Sequence, residues 1–265
     1  VTFFVVQRNG RAASVEELAP LAFAGYAHFT AAQARGGRIR GLDLHLARLR
    51  AASEELFGRS LPDERVRELL RTALAAGPDD VSLVATVYSS AGEYTAAGGE
   101  LDVLVRTGPA TEGPAGPLAL AAVEHERTLP GLKHVGEVAK TYLLRRAVAD
   151  GFDDAAFLDR RGRLGEATIW NLAFWDGEAV VWPAADVLGG VTMGILRRRL
   201  EGLGTAQRVR EVTPADLSAL RGAVVMNSWT PGVAVSRIAG TELPEAPEFV
   251  DALHRAYGAE PLVAP

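Results

Sequence analysis

The chain has 265 residues, 48% hydrophobic and 23% charged, with a formal net charge of −5 and no cysteine. This balance suits a folded protein with room for two domains. It excludes a disordered, collagen-like or coiled-coil chain, and it excludes disulfides, thiolate metal sites and a cysteine nucleophile. The negative charge argues against nucleic acid as a partner, no apolar run approaches the ~18 residues of a membrane span, and Val1-Thr2-Phe3-Phe4 lacks a signal-peptide pattern, so a soluble cytoplasmic protein is expected.

The first half reads as α+β. Val1 to Gln7 is a short apolar strand, and Phe23 to Arg40 holds two β-like stretches around Gly36-Gly37. Asp43 is expected to cap a helix running to about Phe57, with Leu42, Leu46, Leu49 and Leu56 near one face. Pro62 opens a second helix that Gly77-Pro78 closes. Alternation at Val81, Leu83, Ala85 and Val87 predicts a half-buried strand, and Leu101 to Val105 another. Residues 107–117 then hold three glycines and three prolines. They read as a linker, or else as a long surface loop; the linker reading divides the chain into a small N-terminal α+β domain (1–108), a linker (109–117) and a larger C-terminal domain (118–265).

The second half opens with a strand, Leu118 to Val123, followed by a helix from about Glu137 to Ala149. Strands are expected at Ala155 to Leu158, Asn171 to Trp175 and Ala179 to Trp182, the last two joined by an Asp176-Gly177 hairpin turn. Gly189-Gly190 precedes a helix from about Thr192 to Leu203. Thr213-Pro214 with Asp216 is a helix start, Gly222 to Asn227 a strand, and Pro247 to Tyr257 a last helix.

The chemistry-bearing residues are few. Of 28 basic residues only Lys133 and Lys140 are lysines. An ammonium can lose its proton and attack a carbonyl, whereas a guanidinium cannot, so a lysine kept among arginines is a chemical candidate. His28, His45, His125, His134 and His254 show no metal-ligand spacing, and no metal is expected. Three features accompany the lysines: the carboxylate Glu166, Gly189-Gly190-Val191-Thr192 running into a helix N-terminus that can cradle an anion, and Arg48 on the helix after Asp43. A lysine, a carboxylate and an anion cradle are the parts that a pyridoxal phosphate site needs. Taken singly, each also fits a helix cap, a surface arginine or an ordinary ion pair.

Order and spacing add a resemblance. His45-Leu46-Ala47-Arg48-Leu49, Gly131-Leu132-Lys133-His134, Asp153 to Asp159, Gly165-Glu166-Ala167-Thr168-Ile169-Trp170-Asn171-Leu172, Leu188-Gly189-Gly190-Val191-Thr192 and Met226-Asn227-Ser228-Trp229-Thr230 follow one another as the motifs of the class IV aminotransferases do. The similarity runs from about Phe23 to Ile238. Some positions depart from the pattern: Gly136 stands for an Asn, Ala167 for a Gly, Gly189 for the Pro of the phosphate turn, Met193 for an Arg, Val138 for a Tyr, and Trp170 is bulky where small residues are common.

The resemblance implies a fold-type IV α/β enzyme of two domains, with pyridoxal 5'-phosphate in the cleft between them. It implies Lys133 as the lysine that bonds the cofactor, with Lys140 the less favoured alternative. It implies Glu166 at the pyridine nitrogen, with Asn171 in the same motif, and Arg48, Val191, Thr192 and Ser228 at the phosphate. Thr30, Trp170, Trp229 and Thr230 fall on the substrate side. The implied activity is amino-group transfer between an amino acid or amine and a 2-oxo acid, in a homodimer. The Phe29-Thr30-x-Ala32 and Leu132-Lys133-His134 segments are similar to the 4-amino-4-deoxychorismate lyase branch, which makes that lyase the alternative. The departures leave a non-catalytic binding protein on the same fold as a third reading.

Overall fold

The computed structural model describes residues 2–23, 25–91 and 99–265; Val1, the start of the first expected strand, lies outside them. Contacts divide the chain into two compact units. One is Val1–Thr111 with Leu132–Gly136 and Pro261–Pro265; the other is Glu112–Gly131 with Glu137–Glu260. This differs from the division read from composition at two short segments. Leu132–Gly136 pairs its backbone with Ala27 and Phe29, and Leu262–Val263 pairs with Ile39 and Arg40, so both count with the first unit.

In the first unit the elements are β1 (Val5–Arg8), β2 (Arg11–Ala12), α1 (Val15–Phe23), β3 (Ala27–Arg35), β4 (Arg38–Arg40), α2 (Leu42–Phe57), α3 (Asp63–Ala75), β5 (Val81–Ser89) and β6 (Leu101–Pro109). With Leu262–Val263 the strands form one antiparallel sheet, ordered Leu262–Val263, β4, β3, β5, β6, β1, β2. Gly36 and Gly37 turn β3 into β4 with φ of 57° and 66°, a left-handed pair that glycine adopts without strain. Alternation does the rest. Leu83, Ala85, Val103 and Val105 form a core with Leu46 and Leu49 of α2 and Leu70 and Leu74 of α3. Tyr88 and Leu104 emerge on the other face and meet Leu18 and Leu21 of α1.

Three local expectations are corrected here. Gly41, not Asp43, stands at the N-cap of α2, in a left-handed conformation; Asp43 lies in the first turn, where its charge suits the helix dipole. Phe23 ends a helix that contains Pro20 instead of opening a strand. β6 continues to Pro109, so the proline-rich stretch begins as strand.

The second unit contains β7 (Leu118–Glu124), α4 (Val138–Ala149), β8 (Asp154–Leu158), β9 (Leu164–Ala167), β10 (Asn171–Trp175), β11 (Val180–Pro183), α5 (Val191–Gly202), β12 (Gln207–Arg210), a 3-10 turn (Pro214–Ala219), β13 (Gly222–Met226), β14 (Val233–Ile238), β15 (Thr241–Glu242) and α6 (Pro247–Gly258). The strand order is β12, β11, β10, β13, β14, β7, β8, β9, and β9 pairs again with β10. Six strands, β10, β13, β14, β7, β8 and β9, therefore close into a ring. The closing pair is Glu166 with Asn171. All six contribute to one core cluster, with Leu120, Ala156, Leu164, Leu172, Phe174, Val225 and Val235 among its members. The opposite faces of β10 and β13 carry α5 and α6 through Leu196, Leu200, Phe249 and Leu253. α4 packs on β7 and β8 through Leu143 and Ala147.

Candidate active site

In the first unit Lys133 is fixed by its backbone. The Phe29 N–H donates to the Lys133 carbonyl at 2.8 Å, the Val135 N–H donates to the Ala27 carbonyl at 3.0 Å, and His28 and His134 form an antiparallel bridge. The lysine segment is thus an added strand along the start of β3. The Lys133 Nζ lies 4.9 Å from the Phe29 ring centroid, a cation–π arrangement. Nearby on β3, Thr30 is 2% exposed, and its Oγ1 is 2.6 Å from His45 Nδ1. Burial pushes the His45 ring down to about 3, with the charges of Arg48 and Lys133 adding to the effect and Asp43 opposing it. His45 is therefore a neutral imidazole, and the structure gathers Thr30, Arg48 and Lys133 around it. Arg48 reaches this place because it lies one helical turn after His45 on α2.

In the second unit the Glu166-to-Asn171 spacing proves to be a hairpin. The Ala167 N–H donates to the Trp170 carbonyl at 2.9 Å, so a four-residue turn brings Glu166 and Asn171 side by side as cross-strand partners. Asp154, 4% exposed, organises this turn: it accepts from the Thr168 hydroxyl at 2.6 Å, the Trp170 indole N–H at 2.9 Å and the Thr168 N–H at 3.3 Å. Glu166 and Asn171 then grip one peptide unit after another. Glu166 Oε2 accepts the Leu188 N–H at 3.3 Å, and Asn171 Nδ2 donates to the Leu188 carbonyl at 2.7 Å. Leu188 leads through Gly189 and Gly190 into α5. A Cβ on Gly190 would overlap the Asn171 carboxamide oxygen, so only glycine fits. The hairpin and the helix start are one mechanical piece.

No side chain caps α5: Gly190 is its N-cap without a side-chain hydrogen bond. The Thr192 hydroxyl donates to the Asn227 carbonyl at 2.7 Å, which leaves the backbone N–H groups of the first turn to meet an anion. Asn227 Oδ1 accepts the Trp229 N–H at 2.8 Å, and the Asn227 N–H donates to the Thr230 carbonyl at 3.1 Å, which places Ser228 in the tight turn beside Thr192. Trp229, 40% exposed, meets the buried Trp170 edge-on, with centroids 5.8 Å apart at 85°. Thr230 is buried, and Gly113 packs against its methyl group.

The second carboxylate oxygen of Glu166 is the telling atom. Glu166 is 5% exposed, and its Oε1 has no hydrogen-bond partner. Arg127 Nε stands 3.4 Å from it but donates to Glu137 Oε1 at 3.0 Å. Burial pushes Glu166 up; Arg127, Lys140 and the Leu188 N–H pull the other way. A cavity of about 220 Å³ reaches Glu166 and Arg127, with Phe157, Arg163 and Val187 in its wall. A buried acceptor without a donor, close in the chain to an uncapped helix start, fits a group with a protonated ring nitrogen and an anionic arm, as pyridoxal phosphate has. Lys140 joins the same charged network: its Nζ is 3.0 Å from Glu137 Oε2, and its side chain is 15% exposed. The sequence reading also missed Asp154, Arg127 and Glu137, whose partners lie at separations that no motif marks.

The chain matches the family model for amino-transferase class IV over residues 27–238. It belongs to the class IV aminotransferases. It is accordingly a pyridoxal phosphate-dependent transferase on the fold-type IV scaffold. No curated protein matches it significantly. Among solved structures it is similar to a branched-chain aminotransferase from Thermoproteus uzoniensis with norvaline (19% identity, 97% of this chain and 94% of that one, TM-score 0.83). It is also similar to the Escherichia coli branched-chain amino acid aminotransferase (15%, 97% and 94%, 0.84), and to a protein described as a 4-amino-4-deoxychorismate lyase from Legionella pneumophila (17%, 88% and 90%, 0.78). At these identities the similarity is one of fold. Among the described residues no helix is long and apolar enough to cross a membrane.

Proposed function

We propose that this chain transfers an amino group between an amino acid or amine and a 2-oxo acid, working as a homodimer. The observation that carries the reading is the buried, donor-less Oε1 of Glu166, held on the same hairpin whose Asn171 fixes the start of α5. Bound pyridoxal phosphate supplies an electron sink for charge developing at the substrate's α-carbon. Glu166 holds the proton on the ring nitrogen, since a carboxylate there favours the cationic ring. The first-turn N–H groups of Val191 and Thr192, the Ser228 hydroxyl and Arg48 bind the phosphate. Lys133 would bond the cofactor through its Nζ; once displaced by substrate, its free amine would take the proton from the substrate α-carbon and return it to the cofactor C4′, two bonds away. Trp170, Trp229, Thr230 and Thr30 shape the substrate side.

A second reading is 4-amino-4-deoxychorismate lyase. It is supported by Thr30, whose hydroxyl is held on neutral His45 beside the Leu132-Lys133-His134 segment. The two readings part on co-substrate. Incubation with pyridoxal phosphate and a panel of amino acids, each with a 2-oxo acid, tests transfer. Pyruvate release from aminodeoxychorismate without any 2-oxo acid would favour the lyase, and neither reaction would refute both.

A further inference from the structure

Arg127 lies outside every motif singled out in the sequence, yet it is the most buried cation near Glu166, with a side chain 2% exposed. Its Nε donates to Glu137 Oε1 at 3.0 Å and its Nη1 to the Pro130 carbonyl at 2.8 Å. Pro130 and Glu137 flank the segment Leu132–Gly136 that carries Lys133. One guanidinium therefore grips the chain just before that segment leaves the second unit and just after it returns. The same Nε stands 3.4 Å from Glu166 Oε1. Glu137 is held in turn by Lys140 at 3.0 Å.

We propose that Arg127 is a positioning residue of the cofactor site: it clamps both flanks of the Lys133 segment and sets a fixed positive charge beside Glu166. The proposal rests on the pyridoxal phosphate reading above and extends it to a residue that need not touch the cofactor. The physical case has two parts. A planar guanidinium donates to the Pro130 carbonyl and to Glu137 from separate, rigidly placed nitrogens while its charge faces Glu166; an ammonium has all its donors on one atom and cannot reproduce that fork geometry. A carboxylate buried as deeply as Glu166 drifts toward its neutral form, and a neutral carboxyl holds a ring proton poorly; an adjacent cation opposes that drift. The groups that bear on Glu166 are Arg127, Lys140 and Glu137, with His125, Asp159, Arg163 and Asp186 around the same cavity.

The test uses the 265-residue chain and the variants Arg127→Met and Arg127→Lys, with two readouts besides turnover. The first is the titration midpoint of Glu166, followed by carbon NMR on protein labelled at glutamate carboxyls and assigned by the resonance lost in Glu166→Gln. The second is the dissociation constant for pyridoxal phosphate, from its visible absorbance. Arg127→Met is expected to move the Glu166 midpoint upward and to weaken cofactor binding about tenfold, the effect of losing one close opposite charge. Arg127→Lys keeps the charge but not the fork. It is expected to leave the midpoint near the wild-type value while still weakening binding, because the clamp is lost. An unchanged midpoint and affinity in a folded Arg127→Met protein overturns the proposal; if that variant does not fold, wild-type binding in Arg127→Lys overturns the clamp. A wild-type chain that takes up no pyridoxal phosphate fails the cofactor reading instead, and the Glu166 titration still reports separately whether Arg127 sets its charge.

Discussion

Asn171 and Gly190 are packed so closely that a Cβ on Gly190 would overlap the Asn171 carboxamide oxygen. Asn171 is also the cross-strand partner of Glu166. One contact thus ties the carboxylate hairpin to the anion-binding helix start, and it explains why motifs 19 residues apart belong together.

Gly190→Ala is therefore expected to do two kinds of damage. Overpacking should cost about 1–3 kcal/mol of stability, and displacement of α5 should weaken pyridoxal phosphate binding. Asn171→Ala opens the space the new methyl needs. In a double-mutant cycle the pair should lose less stability than the sum of the singles, read by urea denaturation. Strict additivity would show that the contact is not what excludes a side chain.

Trp170 and Asp154 give a second test. Trp170→Phe keeps the ring contact with Trp229 but removes the indole N–H that Asp154 Oδ2 accepts. The lost bond to a buried charge should cost about 1.5–3 kcal/mol. The Ala167–Trp170 turn should loosen, seen as faster amide exchange at Ala167. Unchanged exchange would place the organising role elsewhere.

The buried histidines predict a pH dependence of stability. Burial holds His28 down to about 4 and His45 down to about 3, against about 6.5 for an unfolded histidine. Between those values the unfolded chain binds protons that the folded chain refuses, so stability rises with pH across the window. As pH falls below about 6.5 each histidine removes up to about 1.4 kcal/mol per pH unit. Replacing both by glutamine should flatten the slope between pH 4 and 6.5 relative to wild type, measured by denaturation at each pH. An unaltered slope would mean that carboxylates alone carry it.

Glu166→Gln keeps the shape and the acceptor for the Leu188 N–H but cannot hold a ring proton as a counter-charge. Turnover is expected to fall by about a hundredfold or more while the melting temperature stays close to wild type. Wild-type turnover would remove Glu166 from the ring nitrogen.

The parts of the fold that the sequence announced are those where local chemistry and tertiary packing agree. Gly36-Gly37 turns a hairpin, Thr213 with Asp216 forms a reciprocal cap, and the apolar stripe of α2 meets the sheet. α1 was missed because Pro20 interrupts it and none of its residues is buried. β14 was missed because one of the strands it pairs with, β7, lies far earlier in the chain, so no local signal marks it. Within the site, the residues read from motifs fall into two local groups, one around His45 and one around the Glu166–Asn171 hairpin. Asp154 and Arg127 stayed hidden for a different reason: an aspartate in an alternating strand and an arginine in an arginine-rich chain carry no local signal. Their importance comes from burial and from partners 10 to 39 residues away.

The most direct test of the central claim is the visible spectrum of the chain with pyridoxal phosphate, before and after borohydride, with peptide mass mapping of the reduced lysine. The account predicts a band that borohydride abolishes, a label on Lys133 alone, and no amino transfer by Lys133→Ala. A label on Lys140, or no band at all, would contradict it.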